Sequence, residues 1–180
     1  MTRRIRVVLS IAVIAALIGF APLFTLQSKA AIIKLKVRGG PLGFILEQQP
    51  KLAPIDITGI DRESSGTLGL IDARDARGTG AGWSLVVQAT DLVARDDSSH
   101  TIPAAGLYVS QTAPVVTIAG NAAPKSFSGV LSTPLELLRA GANTGMGHFR
   151  IEPPIALAVP ADVFAGTYDS TLTLTLISGP

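Results

Sequence analysis

The sequence predicts an all-β fold: a single antiparallel β-sandwich or barrel-like domain that follows an N-terminal signal peptide. Apolar residues recur with a period of two in several segments after residue 31. Clusters of Gly, Pro, Asn and Asp separate these short apolar segments, as they separate strands in sandwiches and barrels. Long runs with helical spacing are missing from the same part of the sequence. Together these observations predict a protein built from many short strands.

The first thirty residues have a different character. Three arginines in the first six residues precede the apolar run Val7–Phe20, and Ser28-Lys29-Ala30 then places small residues where a signal peptidase cuts. This order predicts a secretory signal peptide over residues 1–30, with residues 31–180 as the mature all-β domain. The apolar character continues weakly to Leu26, which brings the run near the roughly 20 residues of a membrane span. An uncleaved signal anchor is therefore the alternative, and it is the only predicted contact with a membrane.

Removal of the leader changes the charge of the protein. Four of the 15 basic residues and none of the 13 acidic residues lie in residues 1–30, so residues 31–180 have 11 basic and 13 acidic side chains and a net charge of −2. The basic sequence pI thus comes largely from the leader, and no nucleic-acid partner is predicted. About 150 residues suffice for one domain with its own core.

Two segments alternate most clearly. In Gly82–Asp91 every second residue from Trp83 to Ala89 is apolar, and in Tyr168–Leu176 leucines alternate with threonines. Each segment is predicted to be a strand with one buried face and one solvated face. The predicted buried faces consist of Trp83, Leu85, Val87 and Ala89 in the first strand and Tyr168, Ser170, Leu172, Leu174 and Leu176 in the second.

The remaining predicted elements are shorter. Pro134–Ala140 fits either a short helix or a strand, because its leucines also alternate, and Pro160–Phe164 is predicted to form one helical turn. Further strands are predicted at Ile32–Val37, Ile55–Ile57, Thr67–Ala73, Leu107–Gln111, Pro114–Ile118, Ser126–Leu131 and Phe149–Val159.

The turn from Asp72 to Gly82 is rich in aspartate, arginine and glycine. It could be a loop that contacts a ligand or partner, with Asp72, Arg74, Asp75 and Arg77 as the polar contacts. The alternative, which the composition favours, is a turn paired with itself, because aspartates bond their own backbone and glycines allow positive φ. A nucleotide-phosphate loop is excluded, since a strand rather than a helix follows the glycines.

Two regions resemble the sequence motifs of WxL domains. In that family an Asp/Arg/Gly-rich turn leads into Gly-Trp-x-Leu on a strand, and a terminal strand with a second Trp-x-Leu closes the domain before a final proline. Leu174 occupies the place of the second tryptophan, so the second motif is degenerate. The similarity extends over roughly Gly66 to Pro180. The segments that carry it are Ile71–Leu85, Gly145–Gly147, Ile155–Pro160, Gly166–Tyr168, Leu172–Leu176 and Pro180.

The resemblance implies non-covalent attachment to the cell wall of a Gram-positive bacterium, through peptidoglycan or another wall polymer and often beside other surface proteins. The candidate wall- or partner-binding residues are Trp83, Leu85, Asp72, Arg74 and Arg77. The degenerate second motif contributes Leu174 and Leu176.

Trp83 has two alternative roles. As the only tryptophan it offers a flat face that could stack on a sugar ring. It shares a predicted strand face with Leu85 and Val87, however, and such an apolar stripe usually faces a core. A buried Trp83 would leave ligand contact to the neighbouring loops.

No enzyme, cofactor or metal site is predicted. Cysteine is absent, His100 and His148 are the only histidines, and no serine lies in a nucleophile elbow. The sequence has no lipobox and no C-terminal sorting signal, so attachment is expected to be non-covalent. The predicted function is a secreted module that associates with the cell wall. The alternative is a structural or interaction subunit of a surface protein complex, assembled by strand addition at a sheet edge without direct glycan binding.

Overall fold

A computed structural model describes residues 32–179. The predicted signal peptide, residues 1–30, lies outside the described residues. Residues 37–179 form one compact unit, and residues 32–36 belong to a second unit.

The described residues are almost entirely strand and loop. Their one helical element is a three-residue 3-10 turn, Ala104–Gly106. No helix in this part of the chain has the length and apolar character needed to cross a bilayer. The strands are β1 Leu42–Leu46, β2 Lys51–Leu52, β3 Arg62–Thr67, β4 Ile71–Asp75, β5 Trp83–Ala89, β6 Leu92–Ala94, β7 Thr101–Ile102, β8 Leu107–Val109, β9 Val116–Gly120, β10 Lys125–Ser126, β11 Gly129–Val130, β12 Leu135–Ala140, β13 Gly147–Ile151, β14 Pro154–Val159, β15 Tyr168–Asp169 and β16 Leu172–Ser178.

These strands form four antiparallel sheets. Sheet I has the order β1-β4-β13-β9, sheet II β10-β12-β5-β16, sheet III β11-β8-β14-β3-β2 and sheet IV β15-β6-β7. The predicted all-β class is confirmed, and the strands of residues 32–179 form several open sheets rather than a closed barrel.

Two strands predicted as continuous are broken where the chain changes sheet. Thr67–Ala73 is divided between β3 and β4 at Gly69, whose φ is +95°, and Phe149–Val159 is divided between β13 and β14 at Pro153. Gly69 permits a backbone conformation outside the β region, and Pro153 has no N–H for a sheet ladder. The two breaks lie side by side, because Leu68 donates its N–H to the Pro153 carbonyl at 2.9 Å.

A similar break divides the predicted strand Tyr168–Leu176. Its start is β15 in sheet IV and its end is β16 in sheet II. The chain next to β5 changes sheet at the same level, where Thr90 donates its N–H to the Thr171 carbonyl at 3.0 Å. The Thr90 hydroxyl accepts the Thr171 N–H at 3.0 Å in return, so this side chain also helps to hold the two chain segments together at the sheet crossing.

One apolar core joins all four sheets. Trp83, Leu85, Val87 and Ala89 of β5 are all buried, as the alternation predicts, and Leu172, Leu174 and Leu176 pack against the core from the terminal strand. Ser84 on the opposite face of β5 is also buried, because β12 and β16 flank this central strand on both sides.

Some predicted elements are wrong. Ile32–Val37 is not a strand, since none of these residues pairs with a strand among the described residues. Ile55–Ile57 is not a strand either: Ala53 after β2 still donates to the Ser65 carbonyl, but the next residue, Pro54, has no N–H to continue the ladder. Pro134–Ala140 adopts the strand alternative as β12, and Pro160–Phe164 contains a hydrogen-bonded turn but no helix.

Candidate functional site

Asp72 is the centre of a polar cluster on the outer face of sheet I. Its carboxylate is 1% exposed and accepts a hydrogen bond from Nε of Arg74 at 2.9 Å. Nε2 of His148 at 2.7 Å and Nε of Arg150 at 2.9 Å share its other oxygen. The register explains this convergence, because Arg150 lies directly opposite Asp72 and His148 directly opposite Arg74. Cross-strand partners project from the same face of a sheet.

The environment of Asp72 keeps its carboxylate ionised. Burial by itself raises the pKa of this group, but the hydrogen bonds from His148, Arg74 and Arg150 together outweigh burial and hold the pKa well below its usual range. The carboxylate therefore acts as a fixed negative charge that positions three cationic or donor side chains. Those side chains reach solvent: Arg74 is 57% exposed and Arg150 is 40% exposed.

Asp75 and Arg77 form a second ion pair on the other side of the same turn. Arg77 holds Asp75 with two side-chain hydrogen bonds of 2.9 and 2.8 Å, and these bonds lower the pKa of the Asp75 carboxyl. The same guanidinium donates to the Gly82 carbonyl at 2.8 Å and to the Ser178 hydroxyl. Arg77 therefore joins the turn to the end of β16 and is not aimed at solvent, with 16% of its side chain exposed.

Trp83 lies in the core, where its side chain is fully buried. Its indole N–H donates to the Gly145 carbonyl at 2.9 Å, which satisfies the one polar group of the ring. Gly145 has φ +67°, and a Cβ at this position would stand 2.3 Å from Cβ of Ala140 and 2.9 Å from Nε1 of Trp83. The segment Gly145–Gly147, one of those that resemble WxL domains, is thus the hydrogen-bond and packing partner of Trp83.

The two Trp-x-Leu-like motifs lie on neighbouring strands. In the antiparallel β5–β16 pair, Leu85 lies opposite Leu176 and Val87 opposite Leu174. Leu85 is fully buried, whereas Leu174 and Leu176 are half-buried at the border of the core. The seven candidate residues therefore divide into four packing residues on sheet II, the Asp72–Arg74 pair on sheet I, and Arg77 in the turn between β4 and β5.

The sequence did not identify the partners of these residues. His148 and Arg150 alternate with the buried Phe149 and Ile151 on β13, and this alternation was the available signal that both project outward. Their approach to Asp72 depends on the pairing of β4 with β13, which are separated by more than seventy residues and cannot be paired from local pattern alone.

A protein-family model described as "WxL domain surface cell wall-binding" matches residues 58–180. The chain belongs to the WxL family. The predicted family is thereby confirmed, and this WxL protein is a secreted, surface-located module associated with the cell wall. The family description names binding and not catalysis, in agreement with the expectation that the chain is not an enzyme.

Other comparisons add little. No curated protein matches the chain. Among solved structures, the WxL chain is similar to one described as a chaperone–tip adhesin complex in the biogenesis of CFA/I fimbriae, with 16% identity and a TM-score of 0.37. The match covers 77% of this chain and 42% of the other, so the chain spans less than half of that structure's length.

Proposed function

We propose that this WxL domain holds peptidoglycan, or another anionic wall polymer, non-covalently through the outer face of sheet I. The observation that carries the proposal is the buried Asp72 carboxylate, which holds Nε of Arg74 and Nε of Arg150 while 57% and 40% of these side chains stay exposed. A positioned arginine binds a carboxylate with two parallel hydrogen bonds and loses less side-chain entropy than a free one. Carboxylates of peptidoglycan stem peptides are suitable acceptors.

The surroundings of the cluster suit a polymer ligand. Ile45 and Val116 lie in the same cross-strand row as Asp72 and Arg150, and both are more than half exposed. Gly43, opposite Arg74, has no side chain and leaves open space at its Cα. The face thus combines guanidinium donors, apolar borders and a shallow gap. Glu47 lies 3.5 Å from Arg150 and offsets part of the positive charge.

In this proposal the tryptophan motif is the scaffold of the site. Trp83 and Leu85 fix β5 in the core, and Leu174 and Leu176 close its border. Arg77 fastens the connecting turn to the last strand. Leucine can replace a tryptophan in such a packing role, so the degenerate second motif does not weaken the proposal.

The test compares retention on purified peptidoglycan sacculi for the wild type, Arg74→Gln and Arg139→Gln. Arg139 is a matched control, because its side chain is 54% exposed and paired with one carboxylate, Glu136. Loss of a charge-assisted hydrogen bond costs about 1.5–3 kcal/mol, which corresponds to about tenfold or more in affinity. We expect Arg74→Gln to lose about that factor while Arg139→Gln binds like the wild type.

Equal retention of the two variants would reject the sheet I face as the wall contact. Thermal unfolding of each variant is measured in parallel, so that a loss of binding is read only from folded protein.

A second candidate function is that of an interaction subunit in a surface protein complex. The observation that favours it is the edge of β16, which pairs with β5 on one side and with no strand of residues 32–179 on the other. An open edge of this kind accepts a strand from a partner.

A further inference from the structure

A cleft opens beside the last strand. It has a volume of about 460 Å³ and lies between β15–β16 on one wall and the β1–β2 region on the other. Its lining is dominated by leucines, among them Leu46, Leu52, Leu68, Leu172 and Leu174. Leu68 belongs to the central core, whereas Leu172 and Leu174 are only half-buried. The cleft is therefore a place where the interior of the protein is incompletely covered.

The backbone of β16 also has hydrogen-bonding groups without a partner strand in residues 32–179. β16 is an edge strand of sheet II, seven residues long, and its residues Leu172 and Leu174 line the cleft. A long edge strand without protection presents unpaired N–H and C=O groups and is a template for another strand. Apolar surface and unpaired backbone thus occur together along β16.

The chain also contains a strand sequence without a sheet. Ile33-Lys34-Leu35-Lys36-Val37 alternates apolar and charged residues, the pattern of a half-buried strand. Its apolar side chains are the most exposed large ones in residues 32–179: Ile33 is 95%, Leu35 85% and Val37 81% exposed. Such an arrangement leaves apolar side chains in water, which is unfavourable.

We propose that the segment Ile32–Val37 of one copy, the donor segment, adds as a strand to the free edge of β16 in a second copy of this chain. Ile33, Leu35 and Val37 enter the cleft of the second copy, and Lys34 and Lys36 face solvent. The period of two matches the requirement of a site in which one face of the added strand is buried and the other is solvated.

A second copy is the occupant because the donor segment remains exposed in the single chain. The donor and the cleft are different surfaces, so each bound copy still has a free donor or a free cleft. Interfaces of this head-to-tail type produce open linear assemblies unless the rotation closes a ring. This inference refines the second candidate function and does not depend on peptidoglycan binding.

The experiment uses the full chain, expressed in a Gram-positive host so that its own N-terminal segment directs export, and measures mass by light scattering after size exclusion. A donor variant carries Ile33→Asp and Leu35→Asp, and a cleft variant carries Leu174→Asp. The matched control carries Lys34→Asp and Lys36→Asp, two charge changes in the same segment at the positions predicted to face solvent.

We expect concentration-dependent oligomers from the wild type and the control, and monomers from the donor variant and the cleft variant. An equimolar mixture of the two monomeric variants is expected to form a 1:1 heterodimer. One intact donor and one intact cleft are then present in different chains.

A synthetic peptide of residues 31–38 makes the test independent of the stability of the cleft variant. It is expected to bind the donor variant, whereas the same peptide with both aspartates is expected not to bind. Oligomers that persist in the donor variant would overturn the proposal. A wild type that stays monomeric while its donor variant binds the peptide would also overturn it, because the segment would then fill the cleft of its own chain.

The outcome is separable from wall binding. The donor variant is expected to be retained by sacculi as a folded monomer, and Arg74→Gln is expected to assemble normally. A wild type that assembles but is not retained by sacculi would reject only the proposed wall binding, and a wild type that is retained but stays monomeric would reject only the strand addition.

Discussion

At the scale of single residues, buried polar groups determine how the candidate site is organised. Asp72 and Trp83 are both nearly inaccessible, and each has its polar atoms fully occupied by named partners. No buried side-chain nitrogen or oxygen in residues 32–179 lacks a hydrogen-bond partner. Neither residue is thus available for direct contact with a ligand, and each acts by fixing the groups around it.

Substitution of Asp72 by Asn tests this organising role. The variant is expected to lose about 3 kcal/mol of unfolding free energy at pH 7, because it leaves clustered donors without their charged acceptor. The pKa of Asp72 is lowered in the folded state, so the carboxylate's contribution is complete above the unfolded value of 3.8 and disappears as the pH falls below it. Urea unfolding of wild type and variant is expected to converge toward acid pH.

Asp162→Asn is the control for this prediction, since Asp162 is exposed. Its stability is expected to stay within about 0.5 kcal/mol of the wild type at every pH. A difference between wild type and Asp72→Asn that grows on acidification would contradict the assigned role.

At the scale of elements, the contact between the Gly145 loop and β5 holds the two motif regions together. Gly145 has positive φ and no room for a Cβ, whereas Gly78 has positive φ of +68° with nothing within 4 Å of its Cβ position. Gly78→Ala is expected to cost about 1 kcal/mol from backbone strain alone. Gly145→Ala adds overpacking against Ala140 and Trp83 and is expected to cost about 2–4 kcal/mol in total.

Denaturant unfolding of both variants measures the difference, and the fluorescence of the single tryptophan reports on the Trp83 environment directly. Equal losses in the two variants would show that strain, and not the packing around the indole, makes Gly145 necessary.

The alternation of apolar and polar residues predicted the strands that have one apolar face. It did not predict the points at which the chain passes from one sheet to another. The prediction that the Trp83-to-Ala89 face of β5 is buried is correct, because alternation can be read from neighbouring residues alone. The strands β2 and β7 were missed because each has only two residues, and β3 before Thr67 was missed because its residues include no apolar side chain. The segment Ile32–Val37 has the alternation of a strand but pairs with no strand among residues 32–179. Alternation along a segment does not show whether a partner strand is present.

The candidate site was predicted in part for the same reason. Asp72 and Arg74 are adjacent in sequence and were singled out by composition. His148 and Arg150 join them only through the β4–β13 pairing, which is a long-range contact. Trp83 could be assigned to the core from its neighbours on the strand, whereas its hydrogen bond to Gly145 depends on a loop 62 residues away.

At the scale of the whole molecule, charge makes the location of wall contact testable. Residues 31–180, the predicted mature domain, have a net charge of −2, so this part of the chain taken as a whole is not attracted to an anionic polymer. Binding that depends on Arg74 and Arg150 must therefore be local and opposed by the rest of the surface. Salt screens such exposed interactions, since the Debye length falls from about 10 Å at 0.1 M to about 3 Å at 1 M.

Retention on sacculi is accordingly expected to fall several-fold as sodium chloride is raised through this range, which follows from screening of the guanidinium–carboxylate contacts. Arg74→Gln is expected to bind more weakly and to respond less to salt than the wild type, because one of the screened contacts is already absent. Binding isotherms at stepped salt concentrations measure both slopes, with Arg139→Gln as the reference for a charge removed elsewhere. Retention that is indifferent to salt in all three proteins would place the wall contact on an apolar surface, away from the Asp72 cluster.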